Sequence, residues 1–273
     1  MPRVAGAVVI RWLRPAKASS GSAGIGSTAT NSTSAPSPAP DASPPRPTGS
    51  GVAQAVRSKG LDLARVVAAA LDELDDVGLD AISLRGVARR LDVQAPALYW
   101  YVSNKRALLE QTATELWRTP IRAVTVTDGD AIPPWPELIG EYMRRLRASL
   151  LSRRDGARAA SSAVIVDDAL LREIEPTLAR FSAQGIAPDQ LVDLFQTAQH
   201  ATVGFCINEQ HRTTEPVDVA ERAKRLADTP HVAAMGELVV GDADARFARM
   251  TDLIIAAGHA TLDGDASAQR ASS

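Results

Sequence analysis

The sequence predicts an all-α fold with a small N-terminal domain of three helices and a larger helical domain behind it. Apolar residues recur at intervals of three and four along most of the chain, which is the period of an amphipathic helix, and no convincing alternation of period two appears. The stretch before residue 58 is rich in Ser, Ala and Pro and poor in large apolar side chains. We therefore predict a disordered tail over 1–57, a helix-turn-helix domain over 58–104, a helical domain over 105–265 and a disordered tail over 266–273.

The first helix of the small domain is predicted over 61–77. Six apolar residues share one of its faces: Leu63, Val66, Val67, Ala70, Leu71 and Leu74. Gly78 follows at the position of a C-cap. Four acids lie near the end of this helix, and we interpret them as a solvated face: Asp72, Glu73, Asp75 and Asp76.

The second and third helices are predicted between Ser83 and Lys105. Ser83 is suited to cap the second helix, because its hydroxyl can accept from the free amides of the first turn. One apolar stripe runs along this helix: Leu84, Val87, Ala88 and Leu91. The third helix begins near Pro96, where a missing amide N–H costs little. Two short helices joined by a tight turn are typical of a helix-turn-helix, whose second helix enters the major groove of DNA.

The charge and the aromatic residues of this segment also indicate a nucleic-acid partner. From Ser83 to Arg106 there are five bases and one acid, a local balance of +4, although the whole chain has a net charge of −2. Tyr99, Trp100 and Tyr101 are adjacent, and three consecutive residues of a short helix cannot all face inward. At least one of these rings is therefore predicted to be exposed.

The larger domain is predicted to begin with a linking helix over 105–118, capped by Ser103 or Asn104 and ended by Thr119 and Pro120. Further helices are predicted over 135–151, 155–162, 166–184, 188–210 and 243–262, and the segment 212–235 is uncertain apart from a short helix over 217–227. The two long apolar helices over 188–210 and 243–262 are candidates for dimerisation. The alternative is that they form a bundle core within one subunit.

Composition excludes several classes of protein. No run of 18 or more apolar residues exists, so we predict no membrane-spanning segment and no membrane partner. The single cysteine, Cys206, excludes an intrachain disulfide and suits a cytoplasmic protein. His200 and His211 would lie about 16 Å apart along one helix and could not chelate one ion. Since no phosphate loop, metal-spaced cluster or catalytic constellation is present, we predict that the protein is not an enzyme and needs no metal or other cofactor.

Two motifs identify the family that this chain resembles. Residues 98–109 read LYWYVSNKRALL and residues 150–157 read LLSRRDGA. Five further residues of the larger domain fit the same pattern: Gln184, Gly185, His200, Thr202 and Gly204. Over about residues 61–262 the chain resembles the tetracycline repressor (TetR) family, and within it the branch of the tetracycline repressor itself.

The resemblance implies an all-α homodimer whose N-terminal domains read a palindromic operator in double-stranded DNA. The domain over 105–265 is then an effector-binding and dimerisation domain, and a small-molecule ligand releases the repressor from its operator. The residues predicted to contact DNA are Ser83, Arg85, Gln94, Ala95, Pro96, Ala97, Tyr99, Trp100, Tyr101 and Lys105. Where the tetracycline repressors carry polar base-reading side chains, this chain has Ala95 and Ala97. Their methyl groups can touch thymine but cannot form bidentate pairs with a base, so we expect a different operator.

The ligand site implied by the resemblance also departs from the family pattern. The tetracycline repressors bind a magnesium chelate through a histidine, where this chain has Ala160, and a carboxylate, where it has Asn208 with Glu209 adjacent. We therefore predict a small apolar or aromatic ligand that needs no magnesium. The predicted ligand-binding residues are Tyr142, Leu146, Ile174, Thr177, Leu178, Val192, Phe195, His200 and Asn208.

Three alternatives remain open at the level of sequence. His200 is either a ligand contact or a hydrogen-bonded structural group. The protein is either a ligand-responsive repressor or a DNA-binding regulator without small-molecule response, which acts constitutively or through a protein partner. The tail over 1–57 is a source of nonspecific attraction to phosphate, a spacer, or a misassigned start without a role.

Overall fold

The computed structural model describes residues 60–125, 133–162, 165, 167–214 and 218–271 of the chain. Every regular element in these ranges is a helix, so the predicted all-α class is confirmed. The helices are α1 (Leu63–Ala81), α2 (Leu84–Arg90), α3 (Ala95–Leu98), α4 (Lys105–Ala123), α5 (Trp135–Leu151), α6 (Gly156–Ser161), α7 (Asp168–Arg172), α8 (Glu175–Ala183), α9 (Pro188–Thr214), α10 (Val219–Arg225), α11 (Pro230–Val240) and α12 (Ala243–Ala271). The predicted tail over 1–57 lies outside the described residues. None of the described helices combines the length and the hydrophobicity that crossing a bilayer requires.

Helices α1, α2 and α3 form a small N-terminal unit, which we call the head. Five of its side chains are fully buried and form its centre: Val66, Ala70, Leu74, Val87 and Leu98. Ser83 caps α2 as predicted, with its Oγ accepting from the Gly86 amide at 3.1 Å. α1 extends past the predicted end to Ala81 through a kink at Gly78, whose φ of +80° favours glycine.

The linking helix α4 continues through Pro120, where the sequence predicted its end. Proline has no amide N–H, so the carbonyl of Leu116, four residues earlier, loses its donor within the helix. The Ser149 hydroxyl of α5 donates to this carbonyl at 2.7 Å and replaces the missing hydrogen bond. A donor from a neighbouring helix therefore allows α4 to reach Ala123.

Other helix boundaries also differ from the predicted ones. The helix predicted over 166–184 is two helices, α7 and α8, because Pro176 lies in the first turn of α8 and has no N–H with which to continue α7. The uncertain segment contains α11 as well as the short predicted helix, which is α10. α12 continues to Ala271, into the tail predicted over 266–273, because no proline ends it there.

Helix α5 is central to the C-terminal domain. It packs against α4, α6, α9 and α12. Its buried residues are Leu138, Ile139, Gly140, Tyr142, Met143, Leu146 and Leu150. The facing helix α9 contributes a buried series as well: Leu191, Leu194, Ala198, Gln199, Thr202, Val203 and Cys206. This largely apolar interior positions the candidate ligand residues of α5 and α9.

Candidate nucleic-acid interface and candidate ligand site

Two aromatic side chains project at the end of α3. Leu98 and Val102 are buried and anchor this segment in the head. Between them, Tyr99 and Trp100 are 57% and 61% exposed, so the prediction that at least one ring is exposed is confirmed. An apolar surface of this kind, held on a buried core, is a candidate site of interaction with another molecule.

The other predicted DNA-contacting residues lie mostly on the outside of the head. Exposed or half-buried side chains are Ser83, Arg85, Gln94, Ala95, Pro96, Tyr101 and Lys105. Ala97 differs, because its side chain is only 6% exposed. The structure therefore does not support the expectation that Ala97 presents its methyl group to a base, since packing of α3 in the head turns this side chain inward.

Acidic partners reduce the positive charge that the sequence assigned to this surface. The Arg90 guanidinium lies 3.2 Å from the Glu73 carboxylate and also contacts Asp76. Arg106 lies 2.9 Å from Glu110, one turn later on α4. At least two of the five bases in this segment are thus paired within the protein, and the local balance of +4 overstates the charge offered to a partner.

A buried carboxylate explains why a glycine stands in α2. The Glu73 side chain of α1 is 4% exposed, and a Cβ atom on Gly86 would lie 1.9 Å from its Oε1 atom. No larger side chain fits without moving the carboxylate. Because Glu73 also accepts from Arg90 of α2, it holds the two helices together at close range.

The acidic end of α1 contacts the C-terminal domain, which corrects its interpretation as a solvated face. Asp75 accepts from the Arg153 guanidinium at 2.7 Å and from the Arg154 amide at 2.8 Å. In return, the Leu79 amide donates to the Asp155 carboxylate at 3.0 Å. We call this set of contacts the junction, and its residues are Asp72, Asp75, Asp76, Leu79, Asp80, Arg153, Arg154, Asp155 and Arg158. The LLSRRDGA motif thus joins the head to the C-terminal domain.

A cavity of about 750 Å³ lies beside the junction. Charged side chains contribute to its lining, among them Arg154, Arg158 and Glu209. None of the predicted ligand-binding residues lines it. Its charged lining does not match the apolar ligand that the sequence predicts.

The structure brings the predicted ligand-binding residues together only in part. The buried or half-buried members are Tyr142, Leu146, Ile174, Thr177, Leu178 and Phe195, and the exposed members, all on α9, are Val192, His200 and Asn208. The rings of Tyr142 and Phe195 meet edge to face, with centroids 5.6 Å apart. Helices α5 and α9 therefore supply the aromatic centre of the candidate ligand site.

Sequence reasoning missed a polar residue beside this aromatic pair. The Tyr142 hydroxyl donates to Oε1 of Gln199, which lies on α9 one turn after Phe195, at 3.3 Å. Burial raises the pKa of the Tyr142 hydroxyl above its ordinary value, which already lies well above neutral pH, so the hydroxyl is protonated and can donate. A signal for Gln199 was present in the sequence, because its spacing of four from Phe195 and three from Thr202 places a glutamine in an apolar stripe.

At the positions that the resemblance assigns to magnesium binding, the side chains either lack a ligand atom or form hydrogen bonds within the protein. Ala160 is buried and has no donor atom in its side chain. The Asn208 amide donates to the Gly204 carbonyl of its own helix at 3.0 Å. Glu209 accepts two bonds from Arg147, at 2.6 and 2.9 Å. Within the part of the chain that the structure describes, no group of three His, Cys, Asp or Glu residues is placed to hold a metal ion.

The chain is all-α and carries a helix-turn-helix with exposed aromatic rings. This unit is joined to a helical domain with an aromatic interior. Such an architecture is typical of a transcriptional regulator. Residues 66–112 match the bacterial regulatory proteins of the tetR family, and residues 131–261 match the tetracyclin repressor-like C-terminal domain.

Individual relatives agree with these matches. The tetracycline repressor protein class G of Vibrio anguillarum is 34% identical over 176 residues, which cover 60% of this chain and 78% of that protein. The crystal structure of TetR from Acinetobacter baumannii AYE is 30% identical, with a TM-score of 0.54 and coverage of 72% of this chain and 96% of that one. A TetR variant from the same organism, in complex with minocycline, is 29% identical, with a TM-score of 0.58 and coverage of 74% and 95%. The chain therefore belongs to the TetR family of DNA-binding transcriptional repressors.

Proposed function

We propose that this repressor binds a palindromic operator as a homodimer and is released from it by a small aromatic ligand that needs no magnesium. The observation that carries the proposal is the exposed pair Tyr99 and Trp100 at the end of α3, held by the fully buried Leu98. A rigid support of this kind allows side chains to read base edges in the major groove.

Different roles follow for the residues on the DNA side. Lys105 lies at the first turn of α4, where a cation and the helix amides suit a phosphate group. Its Nζ donates to the Asp80 carbonyl at 3.2 Å in the free protein, so it must exchange this bond for the phosphate. We assign base contacts to the exposed Tyr99 and Trp100 and a preference for thymine to the methyl group of Ala95.

Exposed apolar residues on α9 and α12 support a homodimer. These two helices pack against each other, and Leu253 of α12 is 71% exposed, with Val192 of α9 also exposed. Covering such residues with a second copy removes apolar surface from water. Symmetry then requires the two α3 helices to lie about 34–36 Å apart, one helical turn of DNA.

The interior of the C-terminal domain supports an aromatic ligand. Tyr142 and Phe195 form an edge-to-face pair, and Leu146 is fully buried on the same helix as Tyr142. The related TetR that binds minocycline supports a small-molecule ligand for this chain. Magnesium is not expected to take part, because Glu209 is held by Arg147 and Ala160 offers no ligand atom.

Selection of bound fragments from random DNA, followed by footprinting of the selected operator, tests the DNA half of the proposal. We expect Trp100→Ala to change the preference among operators, and Lys105→Ala to weaken binding to all sequences and reduce the salt slope by about one. Arg144→Ala is the control, because it removes one exposed positive charge on α5. Uniform effects of Trp100→Ala and of Lys105→Ala on every DNA sequence would contradict the roles assigned to α3 and α4.

Footprinting with and without compounds, together with calorimetry, tests the ligand half. We expect an aromatic compound to relieve protection of the operator without added magnesium. Tight binding of a magnesium and tetracycline chelate in calorimetry would overturn the magnesium-independent site. Protection that no compound relieves would instead favour a regulator that acts constitutively or through a protein partner.

A further inference from the structure

We propose that Gln199 determines the specificity of the ligand site by donating a hydrogen bond from its side-chain amide to a carbonyl oxygen on an aromatic ligand. The inference rests on the proposed function in one respect only, namely that the C-terminal domain binds a small molecule. Gln199 adds a buried amide donor to the candidate ligand site, and the ligand must carry a matching acceptor.

The Gln199 side chain has hydrogen-bonding capacity that the protein does not use. Gln199 is 2% exposed, and its Oε1 accepts from the Tyr142 hydroxyl at 3.3 Å. Its Nε2 atom is buried and has no hydrogen-bond partner among the described residues. Buried polar groups of folded proteins are nearly always hydrogen-bonded, so two N–H groups without an acceptor call for an explanation. A ligand acceptor would supply the missing partner.

The orientation of the amide follows from its neighbour. With Oε1 toward Tyr142, the phenolic proton is satisfied and only the amide N–H groups are left. Rotating the amide by half a turn would leave the Tyr142 proton without an acceptor and bury an unmet Oε1 as well. The arrangement that donates from Nε2 is therefore the more favourable one, and the ligand must accept.

The surroundings of Gln199 limit the acceptor to a neutral group on an aromatic frame. Phe195 precedes it by one turn of α9 and packs edge to face on Tyr142. The Tyr142 hydroxyl and the Gln199 amide are both neutral at physiological pH. An anionic ligand would lose its hydration without gaining a cation from this pair, whereas a carbonyl loses much less.

A matched pair of probes tests the proposal directly. Fluorenone and fluorene have the same ring frame and differ by one carbonyl group. We expect calorimetry on the full-length protein to show that fluorenone binds at least about tenfold more tightly than fluorene, as one buried hydrogen bond allows. Gln199→Leu should bring the two affinities within about threefold, and Gln199→Met should do the same with a side chain of nearly the original length.

Control variants separate this role from a structural one. Gln184→Leu removes an exposed glutamine of the same domain and should leave the preference for fluorenone unchanged. The double variant Tyr142→Phe with Gln199→Leu removes both partners and the unmet amide, so it should raise the Tm of the ligand-free protein by about 2–4 °C.

Four results would overturn the proposal: equal binding of the two probes, binding of neither probe, a preference for fluorenone that survives Gln199→Leu, or a lower Tm of the double variant. Since no DNA is present in these titrations, their failure is distinct from failure of operator binding and release, which footprinting measures.

Discussion

The junction and the interior of the C-terminal domain are held by opposite kinds of contact. In the junction, Asp75 pairs with Arg153 and Asp80 pairs with Arg158, and these side chains remain partly in water. In the interior, side chains such as Met143 and Leu150 are completely buried. An exposed ion pair contributes about 0–1 kcal/mol and weakens with salt, whereas burial of a large apolar side chain contributes about 1.5–3 kcal/mol. The ion pairs of the junction therefore contribute less to stability than the buried side chains of the interior.

The largest effect is expected from a cavity in the interior. Leu150→Ala should lower the free energy of unfolding by about 2–5 kcal/mol, because the removed side chain is fully buried on α5. Urea unfolding followed by circular dichroism measures the loss. Leu63→Ala makes the same change at a partly exposed position of α1 and should cost much less. Equal losses in the two variants would contradict the contrast between interior and surface.

A smaller effect is expected where one polar contact joins two interior helices. Ser149→Ala should lower the free energy of unfolding by about 1–3 kcal/mol, because the Leu116 carbonyl is left without a donor beside Pro120. Pro120→Ala restores an amide N–H for this carbonyl, so the same serine change should cost less in that background. A double-mutant cycle by urea unfolding measures this coupling, and strict additivity would show that the hydroxyl does not replace the missing bond.

A weak, salt-dependent effect is expected at the junction. Arg153→Ala should lower the free energy of unfolding by less than about 1 kcal/mol at low salt, and by less still at 1 M salt, because its pairs with Asp72 and Asp75 are partly exposed. Unfolding curves at two salt concentrations check both statements. The matched control is Arg144→Ala, whose partner Glu141 lies on its own helix. If the junction variant lost more than about 2 kcal/mol at either salt concentration, the junction would not be a low-cost attachment.

The smallest effect is expected at the buried thiol, and it tests whether the interior stays closed when the junction is weakened. Burial raises the pKa of Cys206 to about 12. The folded state therefore favours the protonated thiol, and this contribution to stability is complete below the unfolded pKa of about 8.5 and is lost as the pH rises toward 12. At pH 8, a thiol reagent should label the native protein very slowly at both low and high salt. Because Cys206 is the only cysteine, the urea-unfolded chain provides a clean positive control. Rapid labelling of the native protein at high salt would mean that the interior opens with the junction.

Features with local causes could be predicted well. The Ser83 cap follows from a serine before an apolar stripe, and the exposed rings follow from the adjacency of Tyr99, Trp100 and Tyr101. Features that depend on a residue far away in the chain could not be predicted from the sequence. The donor that allows α4 to pass Pro120 lies on Ser149, which is 33 residues from Leu116 along the chain. Nothing in the residues around Pro120 predicts that a hydroxyl group from another helix would donate to the Leu116 carbonyl.

The amino-acid sequence was sufficient for the all-α class, the helix-turn-helix and the family, because periodicity, caps and short motifs are properties of neighbouring residues. The tertiary structure decided which side chains meet. It turned Ala97 inward, paired Glu209 with Arg147 and left the Gln199 amide buried beside Tyr142. These outcomes depend on contacts between helices that are distant in the chain. Burial in those contacts sets the free-energy cost of leaving a polar group without a hydrogen-bond partner.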